Sequence, residues 1–142
     1  MSQDETRYLS DEDAMLGFGK ELAECLEGNE LILLTGDIGM GKTTLARGLI
    51  GALGCTGRVK SPTFTLVEPY EMQGSKLYHF DFYRIENPDE LDFIGLDEML
   101  QETAIKLVEW PERASGKLPP ADIVIHITES QPGRTVEISR PE

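Results

Sequence analysis

The chain has 142 residues, 39% of them hydrophobic and 27% charged, and 26 Asp and Glu against 13 Lys and Arg leave a formal net charge of −13. That length closes a single hydrophobic core, so one domain over 1–142 is expected, and the charge disfavours direct tight binding to nucleic acid or anionic lipid. The longest apolar run, Leu31 to Leu34, is far below the roughly 20 residues that span a bilayer, and MSQDETRY has no basic region leading into an apolar one, so a cytosolic protein is expected.

Ser10 opens SDED, where its hydroxyl can cap a helix, and Met15, Phe18, Leu22 and Leu26 recur at helical spacing up to Gly28. Leu31 to Thr35 then reads as a strand running into GDIGMGKT. Beyond it Leu45, Ala46, Leu49, Ile50 and Leu53 form a helical stripe stopped by Gly54. Cys25 and Cys55 lack metal-ligand spacing and are read as small buried hydrophobes.

Two further strands are expected over Thr63 to Glu68 and Lys76 to Tyr83, where β-branched and aromatic residues lie between the breakers Pro69 and Gly74. Asn87 and Pro88 read as the cap and first-turn proline of a helix to Phe93, with a second short turn over Asp97 to Gln101. Ala104 to Glu109 reads as a buried strand. Asp122 to Thr128 and Thr135 to Arg140 read as a closing hairpin across QPGR. The fold class is therefore α/β, a P-loop NTPase-like three-layer arrangement with a central mixed sheet and a C-terminal β-hairpin.

The chemistry is carried by Gly36, Gly41, Lys42 and Thr43, which satisfy the pattern G-x-x-x-x-G-K-[ST]. Successive backbone N–H groups over Gly36, Asp37, Ile38, Gly39, Met40 and Gly41 make a concavity for anions, and the following helix aims its positive end at the same place. Lys42 is expected to reach the β- and γ-phosphates, Thr43 to offer its hydroxyl to Mg2+, and Thr44 to close the loop. The ligands expected are ATP and Mg2+.

Such a site also needs an acidic residue at the end of a neighbouring strand. Asp81 ends LYHFD and Glu109 ends AIKLVE, so two candidates exist; an exposed acidic strand end is the plainer reading of each. Ser61, Thr63 and Thr65 hold hydroxyls on the loop SPTFTL, as a segment sensing the γ-phosphate would, or as a turn satisfying its own backbone would. Trp110, the only tryptophan, either lies against the nucleotide or fills the core. Arg84 and Arg134 are the arginines placed to approach phosphate or base, with surface ion pairing as the alternative.

Taken together and in this order, GDIGMGKTTLARG, SPTFTLVEPY, YHFDFYR and LVEWPER resemble the TsaE family, also called YjeE, over nearly the whole chain. The resemblance implies a P-loop ATPase needed for threonylcarbamoyladenosine in tRNAs that read codons beginning with adenine. It implies action on a protein partner, the TsaB–TsaD heterodimer, which transfers the threonylcarbamoyl group from an adenylate made by TsaC; tRNA would be met only indirectly. By the same resemblance Thr43 and Glu109 hold magnesium, and Lys42 with the Gly36 to Gly41 backbone holds phosphates. Asp81 positions or activates water, Thr63 and Thr65 act as switch hydroxyls, and Trp110 lies near the nucleotide. Met40 stands where the family has a small residue.

Two other classes share the P-loop. A small-molecule kinase needs an acceptor pocket and a basic lid, and the 13 Lys and Arg form no cluster that would make one; a nucleotide-gated scaffold needs ATP binding without hydrolysis. No N-K-x-D segment is present to read guanine.

Overall fold

The computed structural model describes residues 3–55, 66–72 and 74–141. Among them, seven strands form one mixed sheet: β1 (Gln3–Leu9), β2 (Leu31–Thr35), β3 (Val67–Met72), β4 (Ser75–Asp81), β5 (Ile105–Glu109), β6 (Ile123–Ser130) and β7 (Gly133–Arg140). The order is β1-β7-β6-β2-β5-β4-β3. The central strands β6, β2, β5 and β4 run parallel, and antiparallel neighbours flank them on both sides.

Helices α1 (Glu12–Glu24) and α2 (Lys42–Ala52) pack on one face of the sheet. Met15, Phe18 and Leu22 of α1 and Leu45, Leu49 and Ile50 of α2 share a core with Ile32, Leu34, Leu77, Ile105 and Leu107 from the strands. The two helices approach closely because glycines face backbone at their crossing. A Cβ on Gly19 would lie 2.4 Å from the Leu45 carbonyl oxygen, and one on Gly48 would lie 2.4 Å from that of Leu16. The opposite face is covered over β4 and β5 by a 3₁₀ segment (Pro88–Ile94), helix α3 (Leu96–Gln101) and a 3₁₀ turn (Pro111–Ala114). Their Leu91, Leu96 and Ala114 join Tyr78, Phe80, Phe82 and Val108 in a second core. Three layers and the C-terminal hairpin β6–β7 are as expected.

Several boundaries move. Asp11, not Ser10, caps α1, its carboxylate accepting from the Ala14 N–H at 2.8 Å. The expected strand over Thr63 to Glu68 falls partly outside the described residues; within them β3 starts at Val67 and passes through Pro69. A proline is tolerated there because β3 is an outer strand. The Asp81 N–H donates to the Leu66 carbonyl, so hydrogen-bonded pairs fall at 66, 68 and 70, and Pro69, opposite Tyr78, turns its missing donor away from the sheet. The segment after Asn87 is 3₁₀ rather than α, closed by a capping box between Asn87 and Glu90. The hairpin strands are longer than expected and turn at Gln131–Pro132. Cys25 is exposed at the end of α1, not buried; Cys55 is half-buried against the core. No helix among the described residues is long and apolar enough to cross a membrane.

Candidate functional site

The site forms where the parallel strands end. The strand register places Leu34 beside Glu109 and Glu109 beside Asp81, so the loop leaving β2 opens next to two carboxylates from β5 and β4. Side chains alternate along a strand, and cross-strand partners share a face. Leu77, His79 and Asp81 therefore point to the same face as Ile105, Leu107 and Glu109, the face on which α2 packs. Towards the strand ends that apolar stripe turns polar.

The loop after β2 winds through positive φ at Gly36 (141°), Gly39 (82°) and Gly41 (102°). At Gly36 the reason for glycine is also spatial, since a Cβ would lie 2.6 Å from the Ile127 carbonyl oxygen. Helix α2 starts at Lys42 with no side-chain cap, which leaves its first N–H groups and its positive end directed at the loop, an arrangement suited to an anion. Met40 packs against the α1–α2 core. Thr44 reaches the Glu12 carboxylate at 3.5 Å and ties the loop to α1.

Lys42 is only 5% exposed. Its Nζ donates to the Gly36 carbonyl at 2.5 Å and lies 3.7 Å from the Trp110 ring centroid. Burial pushes the ammonium below the ordinary lysine range, and the charges of Glu109, Glu112, Asp81 and Asp37 oppose that shift. Trp110 is half-buried, with φ 57° and ψ 50°, a left-handed conformation uncommon for a non-glycine residue; Tyr83 packs against its ring at 4.9 Å. It packs against the second core and also lines the cleft.

A cleft of about 440 Å³ opens here, lined by Ile38, Gly39, Gly41, Lys42, Thr43, Thr44, Asp81, Tyr83, Glu109 and Trp110. The structure thus brings together Lys42, Thr43, Asp81, Glu109 and Trp110, drawn from three separate stretches of sequence. Asp81 accepts from the Tyr83 N–H at 3.0 Å, which orients its carboxylate. Glu109 gives one oxygen, Oε2, to His79 Nε2 at 2.7 Å, and among the described residues its other oxygen has no hydrogen-bond partner. A lone carboxylate oxygen in a cleft that Thr43 also lines suits a hard divalent cation that keeps most of its waters and completes its shell with phosphate.

Arg134 reaches the loop from the hairpin: its guanidinium donates to the Gly39 carbonyl at 3.3 Å and stands 3.9 Å from Glu129. It borders a second hollow of about 280 Å³, continuous with the loop through Gly39 to Gly41 and floored by Leu9, Met15 and Met40. Asp37 is exposed on the loop. Arg84 lies exposed on the turn after β4, away from the cleft lining. Ser61, Thr63 and Thr65 lie outside the described residues. His79 was not among the residues singled out from sequence; its position two before Asp81, on the same strand face, was the available signal.

The family model described as threonylcarbamoyl adenosine biosynthesis protein TsaE matches residues 9–136. The tRNA threonylcarbamoyladenosine biosynthesis protein TsaE of Haemophilus influenzae is 45% identical over 138 residues, covering 94% of this chain and 87% of that one. The protein of the same name from Aquifex aeolicus is 40% identical over 121 residues, covering 84% and 83%. Among solved structures, that of Bacillus subtilis YdiB superposes with a TM-score of 0.83 at 27% identity, covering 99% of this chain and 87% of that one.

Proposed function

The chain belongs to the TsaE family, whose role is tRNA threonylcarbamoyladenosine biosynthesis, and on that premise we propose that it is a Mg2+-dependent ATPase of low intrinsic turnover that drives or resets a protein complex in that pathway. The observation that carries this reading is the juxtaposition of an uncapped, glycine-lined helix start with Lys42 and two strand-end carboxylates. A polyphosphate needs that combination, because the N–H cradle and the ammonium hold its charge while the carboxylates stay apart from it through a cation.

In this reading the backbone of Gly36, Asp37, Ile38, Gly39, Met40 and Gly41 wraps the phosphates, and Lys42 leaves the Gly36 carbonyl to meet them. Thr43 and Glu109 hold magnesium, which when bound would neutralise charge on the phosphate oxygens. Asp81, oriented by the Tyr83 N–H, holds the attacking water. Trp110 packs beside the phosphates. Arg134, with Thr44 and the apolar floor at Leu9 and Met15, borders the hollow for the base and ribose. Thr63 and Thr65 sense the γ-phosphate.

Low turnover has a physical ground. Among the described cleft-lining residues Lys42 is the only cation, and a missing arginine at the transition state can be worth roughly 10³ to 10⁵ in rate. A partner is the natural source, and the partner we propose is the TsaB–TsaD heterodimer, in the cytoplasm, acting on tRNAs that read codons beginning with adenine. The net charge of −13 favours a protein surface over tRNA as the direct contact.

The test is ATP hydrolysis by the pure chain with and without TsaB–TsaD in matched magnesium, with Lys42→Ala and Glu109→Ala as controls. Stimulation by the heterodimer that both variants lose is the expected result. Background turnover unchanged by the partner, despite tight ATP binding, would replace the ATPase with a nucleotide-gated scaffold.

A further inference from the structure

His79 is 1% exposed, in the apolar face of β4 between Leu77 and Asp81. It sits diagonally across the strand pair from Glu109, because Leu107 is its direct partner and Asp81 is that of Glu109. Its Nε2 is 2.7 Å from Glu109 Oε2, and its Nδ1 is buried with no hydrogen-bond partner among the described residues. An ionised carboxylate can only accept, so the ring donates from Nε2. A leucine, as at position 77, would fill this position in the core without burying an unsatisfied nitrogen. The imidazole is therefore set by its one bond, to Glu109.

The Glu109 carboxylate attracts the Lys42 ammonium, yet the two form no ion pair within 4.0 Å among the described residues; Lys42 lies on the Gly36 carbonyl and the Trp110 ring, and Glu109 on His79. With the carboxylate anchored at Oε2, its second oxygen is left for the cleft that Thr43 and Lys42 line. Partners of this kind behind a ligating group fix its orientation, and their loss typically weakens metal binding.

We propose that His79 is a positioning residue for the cation site: its hydrogen bond to Glu109 holds that carboxylate turned to the Mg2+ position and keeps it from collapsing onto Lys42. This rests on reading Glu109 as the magnesium ligand. The side chain of His79 touches neither nucleotide nor metal and acts only through Glu109.

The experiment is calorimetric titration of the full chain with ATP in Mg2+ and again in EDTA, the ratio of affinities giving the magnesium contribution without reference to turnover. His79→Leu should lose about 10- to 100-fold of that contribution while ATP binding in EDTA is unchanged or weakened by the freed Glu109. His79→Gln, whose amide nitrogen can stand where Nε2 stands, should retain it. In a Glu109→Gln background the His79→Leu change should remove nothing further. A wild-type ratio in His79→Leu, or an additional loss in the double variant, overturns the proposal. If His79→Leu does not fold, His79→Asn decides: its shorter amide reaches only the Nδ1 position, so it should lose the magnesium contribution where Gln keeps it, and equal ratios for Asn and Gln overturn the proposal. Failure of the underlying reading looks different: the wild type would show no magnesium contribution, or Glu109→Gln would leave it intact.

Discussion

The ammonium of Lys42 stands 3.7 Å from the centroid of the Trp110 ring. A cation over an indole face is attracted by the ring quadrupole, and this contact joins the start of α2 to the residue that follows β5. On the proposed function, phosphate entering the cleft draws Lys42 toward itself and off the ring. Because Trp110 is the only tryptophan, tryptophan fluorescence reports on the surroundings of this one ring. ATP should change the emission saturably, Lys42→Ala should abolish the response, and a wild-type response in that variant would separate Trp110 from the phosphate site.

The crossing of α1 and α2 predicts opposite outcomes for the same substitution at two glycines of one helix. Gly48→Ala forces a methyl group to within 2.4 Å of the Leu16 carbonyl oxygen, an overpacking expected to destabilise by about 1–3 kcal/mol. Gly51→Ala meets nothing within 4 Å and should stabilise by about 0.4–1 kcal/mol by restricting the unfolded chain. Urea denaturation of the two variants measures both; a loss at Gly51 equal to that at Gly48 would mean that helix contact is not what decides.

Glu30 carries a pH dependence. Burial would raise its pKa, but the backbone N–H groups it accepts, those of Glu27 at 2.6 Å, Gly28 at 2.9 Å and Asn29 at 3.1 Å among them, outweigh burial and hold it below the ordinary glutamate range. A depressed folded-state pKa contributes stability above the unfolded value, about 4.3, and loses it as pH falls through the folded value. Glu30→Gln should therefore be less stable than wild type near neutrality, and the gap should close as the pH drops below about 4.3. Thermal melts from pH 7 to pH 3 test this; a constant gap would assign the effect to packing.

The two thiols should separate in reactivity. Cys25 is exposed, whereas Cys55 is half-buried, and burial pushes its thiol above the ordinary range. Since the thiolate is the nucleophile, iodoacetamide near neutral pH should modify Cys25 first, and Cys55 should lag until the pH is raised or the chain unfolds. Peptide mass spectrometry over time reads both sites, and equal rates would place Cys55 on the open surface.

What could be read in advance followed the range of the forces involved. The glycine loop and its lysine form a local pattern, legible because phosphate binding needs neighbouring N–H groups, and the core stripes of α1 and α2 are legible at helical spacing. Asp81 and Glu109 could each be read as a carboxylate closing a strand. Their adjacency depends on the parallel register of β4 and β5, which neither strand specifies alone. The bond between His79 and Glu109 spans 30 positions and was invisible for the same reason. Strand β1 is not legible because, over residues 4–9, only Leu9 at its end is buried; main-chain pairing to β7 at the far end of the chain aligns it. Ser10 and Asp11 both offer capping oxygens, and only the backbone geometry chooses Asp11.

Pro69 has a consequence for how copies of this molecule meet. Among the described residues strand β3 is an outer margin of the sheet, and an exposed margin is a template on which another chain can zip up. Of its outward-facing positions 67, 69 and 71, the middle one is occupied by a residue that has no donor. A strand arriving there would leave one of its own carbonyls without a partner, a penalty of about 1–3 kcal/mol. The margin nearest Asp81 and Glu109 is thus poorly suited to growing the sheet from one molecule into the next at high concentration.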